Sequence, residues 1–236
     1  MAARGEVVPM PDAAIFADTQ WEPAHIYTHL DWLESQLPFP VYRVTAGSIR
    51  DSAVSQIRSD GKTRYAAIPW HMPGAMGMRQ CTKEYKIEPI RRKVRELSRM
   101  KPVRQWIGIS TDEAVRMKPS NVKYIAHIFP LIDLGMSRRD CEKWFNANYP
   151  GRELRKSSCL GCPYHSDRQW REIKANPEEW RDVVEVDRAI RDKQNFKRQQ
   201  FMHRSLKPIY EVDFSTAEDL GQLNMFNNEC EGMCGV

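Results

Sequence analysis

The residues best suited to chemistry in this sequence are its six cysteines. Two of them form a Cys-x-x-Cys pair, Cys159-Leu-Gly-Cys162, which continues Pro-Tyr-His-Ser. A tight turn between the two sulfurs lets both thiolates reach one metal or cluster, or react with each other. Gly161 is predicted to relax this turn, and Pro163 to end it. The other cysteines are Cys81, Cys141, Cys230 and Cys234.

The compartment decides which cysteine chemistry to expect. Residues 1–10 lack the apolar stretch of a signal peptide, and no apolar run approaches the roughly 20 residues that a membrane span needs. We therefore expect a cytoplasmic protein that does not enter the membrane. In a reducing compartment, cysteines indicate metal, cluster or redox chemistry more than disulfides.

Charge and composition narrow the class of partner. The 236 residues carry a formal net charge of +5, which indicates anionic partners such as nucleic acid or a small phosphorylated or sulfated substrate. The hydrophobic fraction of 41% argues against disorder throughout. The length suits one α/β domain with an appendage.

The elements that must position the cysteines begin with a βαβ pattern. An apolar run at residues 12–17 predicts a buried parallel strand, residues 23–36 a helix, and residues 41–44 a second strand. The first strand ends at Asp18 and Thr19. Open α/β sheets bind ligands beyond the carboxyl ends of their strands, so these two polar residues are candidates for binding.

The rest of the chain predicts a doubly wound parallel sheet followed by a smaller helical part. Residues 106–109 and 125–131 are interpreted as strands, and residues 70–80 as a loop. Further helices are predicted at residues 49–58, 87–100, 137–145 and 177–194. We therefore expect an α/β domain over residues 1–170. Residues 171–236 are predicted to form a helical and irregular appendage that ends in a flexible, cysteine-bearing tail.

Six segments, in this order, resemble the phosphoadenosine phosphosulfate reductase family of the adenine-nucleotide α-hydrolase-like superfamily. Together they lie within residues 12–232. They are Phe-Ala-Asp-Thr-Gln-Trp-Glu-Pro at 16–23, Cys-Thr-Lys-Glu-Tyr-Lys-Ile-Glu-Pro-Ile at 81–90, the segment from Trp-Ile-Gly-Ile-Ser to arginine at 106–116, Pro-Leu-Ile-Asp at 130–133, Ser-Cys-Leu-Gly-Cys-Pro at 158–163 and Glu-Cys-Glu-Gly at 229–232.

The resemblance implies thiol-dependent reduction of a sulfonucleotide to sulfite. Cys230 would attack the sulfur of the bound sulfonucleotide, and a thioredoxin-like donor, or Cys234, would then release sulfite. Asp18 and Thr19 would contact the adenine nucleotide or a cation, although Thr19 could equally cap the helix. Cationic groups for the anion and for docking of the tail thiol would come from Lys83, Lys86 and Arg116.

An iron–sulfur cluster is the cofactor that the resemblance implies. Cluster-containing members use cysteines at the places of Cys81, Cys159 and Cys162, and a [4Fe–4S] cluster takes four thiolates. Cys141 is our addition for the position at which this sequence has Thr82; a buried, inert Cys141 is the alternative. Structural zinc on the same ligands is the rival metal. His165 is predicted to be a surface histidine, with a donor role beside the ligands as the alternative.

Three departures from the family keep other functions open. The sequence has no Ser-Gly-Gly-type phosphate loop, and residues 1–5 resemble the end of the helix that follows it. It also has a single cysteine at Cys81-Thr82, and acidic Asp112 and Glu113 where the family has arginines. The first alternative is an ATP-dependent sulfur-transfer enzyme that thiolates DNA or tRNA, which the basic charge favours. The second is a non-catalytic, metal-stabilised binding module.

Overall fold

A parallel βαβ unit opens the ordered part of the fold. The computed structural model describes residues 1–55, 68–154, 156–191 and 198–215. Strand β1 is Ala14–Asp18, helix α1 is Ala24–Gln36 and strand β2 is Val41–Thr45. The two strands pair in parallel from Ala14 opposite Val41 to Asp18 opposite Thr45. The predicted strand–helix–strand order is confirmed.

Two further strand pairs differ from the sequence predictions in position. Strands β3, His71–Met72, and β4, Ala75–Met76, form an antiparallel hairpin within the predicted loop. Its turn is Pro73-Gly74, and Gly74 has φ +70, a conformation that favours glycine. Strands β5, Val103–Trp106, and β6, Ile125–Ile128, pair in parallel.

The predicted strand at 106–109 was therefore displaced by three residues. Val103 lies opposite Ile125, so the partner strand sets the register. The Ile107 N–H still donates to Ile128 O, at 2.9 Å, and the apolar segment Ile107-Gly108-Ile109 then leaves the strand pair. An apolar run alone does not reveal where the pairing stops.

The other regular elements of the described residues are helices and helical turns. A π-helical segment, Thr82–Ile87, runs directly into helix α3, Glu88–Ser98. The other helices are α2 Ile49–Ser55, α4 Pro130–Asp133, α5 Arg138–Asn148, α6 Asp167–Lys174 and α7 Pro177–Arg191, with 3-10 turns at Ala2–Arg4, Thr111–Arg116 and Ile209–Glu211. The predicted capping box of α5 is confirmed, because Ser137 and Asp140 exchange hydrogen bonds.

One hydrophobic core joins the two predicted parts of the chain. Helix α2 packs on α7, and α6 packs on α7. Buried side chains of residues 21–85 belong to the same cluster as those of residues 160–214; its members include Trp21, Ile49, Trp70, Trp170, Val183, Val186, Ile190, Met202 and Ile209. The segment 198–215 thus closes over α7 as part of the core.

The buried carboxylate of Asp187 on α7 holds the segment 198–215 by hydrogen bonds to its backbone. It accepts hydrogen bonds from the backbone N–H of Met202 at 3.4 Å and of Ile209 at 3.0 Å, and it pairs with Arg191. The side chain of Asp187 is fully buried. Buried charge of this kind persists only where donors and a counter-charge surround it.

The fold class is mixed α/β, and the described residues contain two parallel strand pairs and one antiparallel hairpin. In the ranges that the structure describes, β1–β2 and β5–β6 form separate two-stranded sheets. Across the same ranges, no helix has both the length and the hydrophobicity that crossing a bilayer requires.

Candidate functional site

A buried carboxylate, Glu22, lies between the end of β1 and the start of α1. Its side chain is only 1% exposed. Thr19 Oγ1 donates to Glu22 Oε1 at 3.2 Å, and Ser157 Oγ donates to Oε2 at 3.0 Å. The ammonium nitrogen of Lys86 lies 3.9 Å from Oε1. Glu22 therefore has both hydroxyl donors and a cation, which is what a buried carboxylate requires.

The thiol of Cys159 completes this group. Its Sγ lies 3.1 Å from Thr19 Oγ1 and donates to Glu22 Oε1 at 3.7 Å. Burial, reinforced by the carboxylate of Glu22, raises the pKa of Cys159 well above that of a free thiol, while Lys86 acts in the opposite direction. Cys159 is therefore a protonated thiol at neutral pH. We call Thr19, Glu22, Lys86, Ser157 and Cys159 the Glu22 cluster.

The Thr19 hydroxyl contacts Glu22 and Cys159 and does not cap α1. Helix α1 begins after Pro23 and has no side-chain cap. Instead, the carboxylate of Glu179 accepts the Ala24 N–H at 2.8 Å. The alternative that Thr19 caps the helix is therefore wrong, and its hydroxyl serves Glu22 and Cys159.

Asp18 lies beside the Glu22 cluster with donors of its own. Its Oδ1 accepts the Gln20 N–H at 2.7 Å and the Tyr27 hydroxyl at 2.9 Å. Burial and the hydrogen bond to Asp18 raise the pKa of Tyr27 to about 12. Gln20 has φ +57, an uncommon backbone conformation for a residue other than glycine, at the junction between β1 and α1.

The Cys-x-x-Cys turn is held against Trp21. Leu160 N–H donates to Trp21 O at 2.8 Å, and Cys162 N–H donates to Cys159 O at 3.0 Å. Gly161 does not have a positive φ, so backbone freedom is not the reason for glycine there. A Cβ on Gly161 would lie 2.7 Å from Trp21 Cζ3 and closer still to Cη2. Close packing under the indole ring is what requires glycine, which corrects the expectation of a relaxed turn.

His165 is buried, which corrects the expectation of a surface histidine. Its ring is 5% exposed and packs edge-on against Trp170, with 4.8 Å between ring centroids. Its Nε2 donates to Cys159 O at 2.9 Å. Burial lowers the pKa of His165 to about 4, so the imidazole is neutral at pH 7. Through this hydrogen bond, the neutral ring fixes the backbone carbonyl of Cys159.

The predicted cationic residues separate into different places. Lys86 joins the Glu22 cluster from the π-helical segment, a conformation often found at functional sites. Lys83, on the same segment, is exposed. Arg116 lies in the 3-10 turn after β5 and pairs with Glu113. Of the three, Lys86 is the one whose ammonium group contacts the cluster.

The cysteines predicted as ligands occupy several elements. Cys81 precedes the π-helical segment and packs, like Cys159, against the hydrophobic core. Cys141 lies on α5, where burial and the carboxylates of Asp140 and Asp112 raise its pKa. In the described part of the chain, Cys81, Cys141, Cys159 and Cys162 form no disulfide with one another. Among the described residues, no three or more His, Cys, Asp or Glu side chains are grouped as metal ligands. The shared cluster stays a prediction, and Cys230 and Cys234 lie outside the described residues.

Sequence reasoning missed Glu22 and Ser157. Glu22 stands directly before the proline that opens α1, beside the Asp18-Thr19 strand end. An acidic residue at a strand–helix junction is a signal for a ligand-side position, but an exposed position is the usual expectation for glutamate. Ser157 precedes the Cys-x-x-Cys turn by two residues and carries no signal of its own.

Comparisons with protein-family models, with curated proteins and with solved structures find no match to this chain.

Proposed function

We propose that this protein is a thiol-dependent reductase of the phosphoadenosine phosphosulfate reductase type, which converts a sulfonucleotide to sulfite. The observation that supports it is the Glu22 cluster, in which a thiol, a carboxylate and an ammonium group meet beyond the carboxyl end of β1. Open α/β sheets bind nucleotides at this edge. The two parallel strand pairs would belong to one doubly wound sheet, in a cytoplasmic protein whose thiols stay reduced.

Cys230 is the nucleophile in this proposal. The pKa of Cys159 is raised by burial and by Glu22, and a thiol that stays protonated is a poor nucleophile. The thiolate of Cys230 would attack the sulfonyl sulfur of the substrate. The new sulfur–sulfur bond forms as the sulfur–oxygen bond to the nucleotide phosphate breaks, and the nucleotide leaves with the electron pair.

A second thiolate completes the turnover. It attacks the sulfur of Cys230 and forms a mixed disulfide as sulfite leaves with the electron pair. The second thiolate of the same donor then attacks this disulfide and releases the Cys230 thiolate, so the dithiol donor is oxidised by two electrons as the sulfonyl sulfur is reduced. A thioredoxin-like protein supplies that dithiol. Lys86 and Lys83, on one segment, provide positive charge for the sulfonucleotide.

No step of this proposal passes through a metal centre. No group of three or more potential metal ligands is found among the described residues, and the protonated thiol of Cys159 donates a hydrogen bond to Glu22. A cluster or zinc ion would have to displace that proton, because metals bind the thiolate. The [4Fe–4S] assignment and its zinc alternative are therefore kept as proposals that metal analysis decides.

The test is an anaerobic turnover assay on the full chain with thioredoxin as reductant. We expect sulfite from adenosine 5′-phosphosulfate or its 3′-phosphorylated form, and no sulfite from Cys230→Ser. Cys234→Ser is the matched control: it removes a neighbouring thiol, but thioredoxin supplies the resolving thiol in this assay, so sulfite release should persist. Full sulfite release by Cys230→Ser would refute the assignment of the nucleophile.

Two other outcomes would favour the alternatives. ATP-driven thiolation of DNA or tRNA without sulfite release would identify a sulfur-transfer enzyme. Stoichiometric zinc together with failure to bind any adenine nucleotide would identify a binding module.

A further inference from the structure

A cavity of about 640 Å³ lies between helix α1 and the segment that follows α5. This volume is in the range of cavities that hold small ligands, about 300–1,000 Å³. None of the lining residues belongs to the Glu22 cluster, so the cavity is a separate site. Polar groups line it beside the indole ring of Trp32; they come from His25, Thr28, His29, Tyr149, Arg152 and Glu153.

A tight turn places Arg152 in this cavity. The turn consists of Tyr149, Pro150, Gly151 and Arg152, and the Arg152 N–H donates to Tyr149 O at 3.2 Å. Gly151 has φ +82, and a proline precedes it. Proline at the second position and a positive φ at the third are features of a type II β-turn. The local sequence therefore fixes the backbone that carries the guanidinium.

The indole ring of Trp32 organises the donors of the cavity. The guanidinium carbon of Arg152 lies 4.0 Å from the Trp32 ring centroid. Tyr149 and His29 pack around the same indole, at 5.0 Å and 5.3 Å between ring centroids. Guanidinium, phenol and imidazole groups, which all carry N–H or O–H donors, therefore surround one aromatic ring in one cavity.

The guanidinium of Arg152 forms no ion pair with a carboxylate among the described residues; its contact there is the Trp32 ring. A guanidinium that stacks on an aromatic ring keeps its N–H donors in its own plane, directed sideways. These donors match the oxygen atoms of carboxylate and phosphate in bidentate geometry. The cavity therefore contains a positive charge, held in place by the turn and the indole, whose donors suit an anion.

The imidazole of His29 is positioned as a neutral donor beside this charge. Burial, followed by the charges of Arg152 and His25, lowers the pKa of His29 below its ordinary value. The ring is therefore neutral at pH 7 and has one N–H to donate. Glu153 is the acidic residue of the lining and opposes an anion. Against it stand the guanidinium, two imidazoles and a phenol hydroxyl, so donors dominate the lining.

We propose that this cavity binds a phosphate group, with Arg152 as a bidentate donor and His29 as a further donor. Phosphate suits this set better than carboxylate does, because its additional oxygen atoms accept hydrogen bonds from more than one direction. A free nucleotide and the backbone of a nucleic acid both carry this group, and the net charge of +5 favours either source. The site is separate from the proposed reductase site and does not depend on it.

The experiment is a titration of the full chain with inorganic phosphate at constant ionic strength, followed by NMR of the indole N–H groups. Loss of a signal in Trp32→Phe identifies the Trp32 resonance. We expect this resonance to shift saturably in wild type. The affinity should fall at least about tenfold in Arg152→Gln, which loses both the charge and the bidentate hydrogen bonds. His29→Phe keeps a ring beside Trp32 but lacks the N–H donor, and should bind phosphate about two- to tenfold more weakly.

Two control variants test the location of the phosphate. The guanidinium of Arg188 also stacks on an aromatic ring, 5.2 Å from the Tyr210 centroid, but it lies on α7 and outside the cavity. Arg188→Gln removes the same charge from the chain and should leave the phosphate affinity unchanged. Lys86→Gln, which alters the Glu22 cluster, should also leave the response at Trp32 unchanged, so this result is independent of the proposed reductase function.

Two larger ligands identify the source of the phosphate. Tighter binding of adenosine monophosphate than of oligothymidylate at Trp32 would identify a nucleotide site, and the reverse order would identify a site for single-stranded nucleic acid. Circular dichroism checks that each variant is folded; if Arg152→Gln is not, Arg152→Lys replaces it, since an ammonium group has no bidentate geometry. Absence of a saturable shift in wild type, or equal affinity in the folded Arg152 and Arg188 variants, would overturn the proposal.

Discussion

The substitution Gly161→Ala tests how the Cys-x-x-Cys turn is held. The added methyl group would enter the space of the Trp21 indole ring, 2.7 Å from Cζ3 and closer still to Cη2, and 3.2 Å from Met202 Cε. Real Cβ atoms do not approach other atoms so closely, so the ring or the turn must move. The ring is not free to move, because Trp21 is 4% exposed and its Nε1 donates to Asp182 at 2.6 Å.

The loss of unfolding free energy expected for Gly161→Ala follows from overpacking of a dense core. Inserting a methyl group into a well-packed site costs about 1–3 kcal/mol. Because the methyl group would meet both Trp21 and Met202, we expect a cost in the upper half of this range, about 2–3 kcal/mol. For a chain of this length, each kcal/mol lowers Tm by about 2–4 °C.

Urea denaturation of wild type, Gly161→Ala and Gly108→Ala measures this cost. Gly108 is the matched control, because nothing lies within 4 Å of its Cβ position and its φ is not positive. Gly108→Ala should be neutral or slightly stabilising through the unfolded state. If Gly161→Ala is as stable as Gly108→Ala, the indole ring does not cover the turn, and the described position of Cys159 is wrong.

Three further predictions concern charges and thiols. Acid should destabilise the protein through His165, whose pKa of about 4 in the folded state lies below the ordinary 6.5. As the pH falls, the unfolded chain binds the proton first, so the contribution of His165 to stability is complete above pH 6.5 and falls towards pH 4, by about 2 kcal/mol at pH 5. The difference in unfolding free energy between wild type and His165→Gln should therefore shrink as the pH is lowered. A difference that stays constant with pH would contradict this prediction. Glu22→Gln should speed alkylation of Cys159 by iodoacetamide, because the carboxylate raises the pKa of that thiol, and Lys86→Gln should slow it. Peptide mass spectrometry measures both rates. Reversed effects would refute the described position of Glu22 and Lys86 beside the thiol. Asp187→Asn should cost about 3–5 kcal/mol, because it leaves Arg191, whose side chain is only 14% exposed, without its counter-charge. Glu96→Gln, which removes an exposed pair with Lys93, should cost less than about 1 kcal/mol in the same denaturation assay.

Local sequence signals predicted the elements better than their contacts. Apolar periodicity located β1, α1 and β2, and the Ser137 capping box located α5, because these signals depend on neighbouring residues. The position of β5 depends on its partner β6, and that information is not local. The β3–β4 hairpin was missed because strands of two residues have no detectable period.

In the candidate site, too, the sequence indicated individual residues but not the contacts between them. Thr19 and Cys159 could be selected from sequence, because a polar strand end and a cysteine pair are recognisable patterns. Their contact at 3.1 Å joins residues 140 positions apart, and Glu22 and Ser157 enter only through the tertiary fold. Likewise, the sequence predicts that Gly161 relaxes the turn, whereas the structure requires glycine there because of the Trp21 indole ring, which no turn rule predicts.

Equilibrium binding of adenosine 5′-phosphosulfate, measured by calorimetry, tests the proposed ligand site at the end of β1 most directly. We predict saturable binding by wild type and about tenfold weaker binding by Lys86→Gln, since a charge-assisted hydrogen bond contributes about 1.5 kcal/mol or more. Lys93→Gln is the control, because Lys93 pairs with Glu96 and does not contact the Glu22 cluster in the described contacts. Absence of saturable binding, or equal affinity in wild type and Lys86→Gln, would contradict the account.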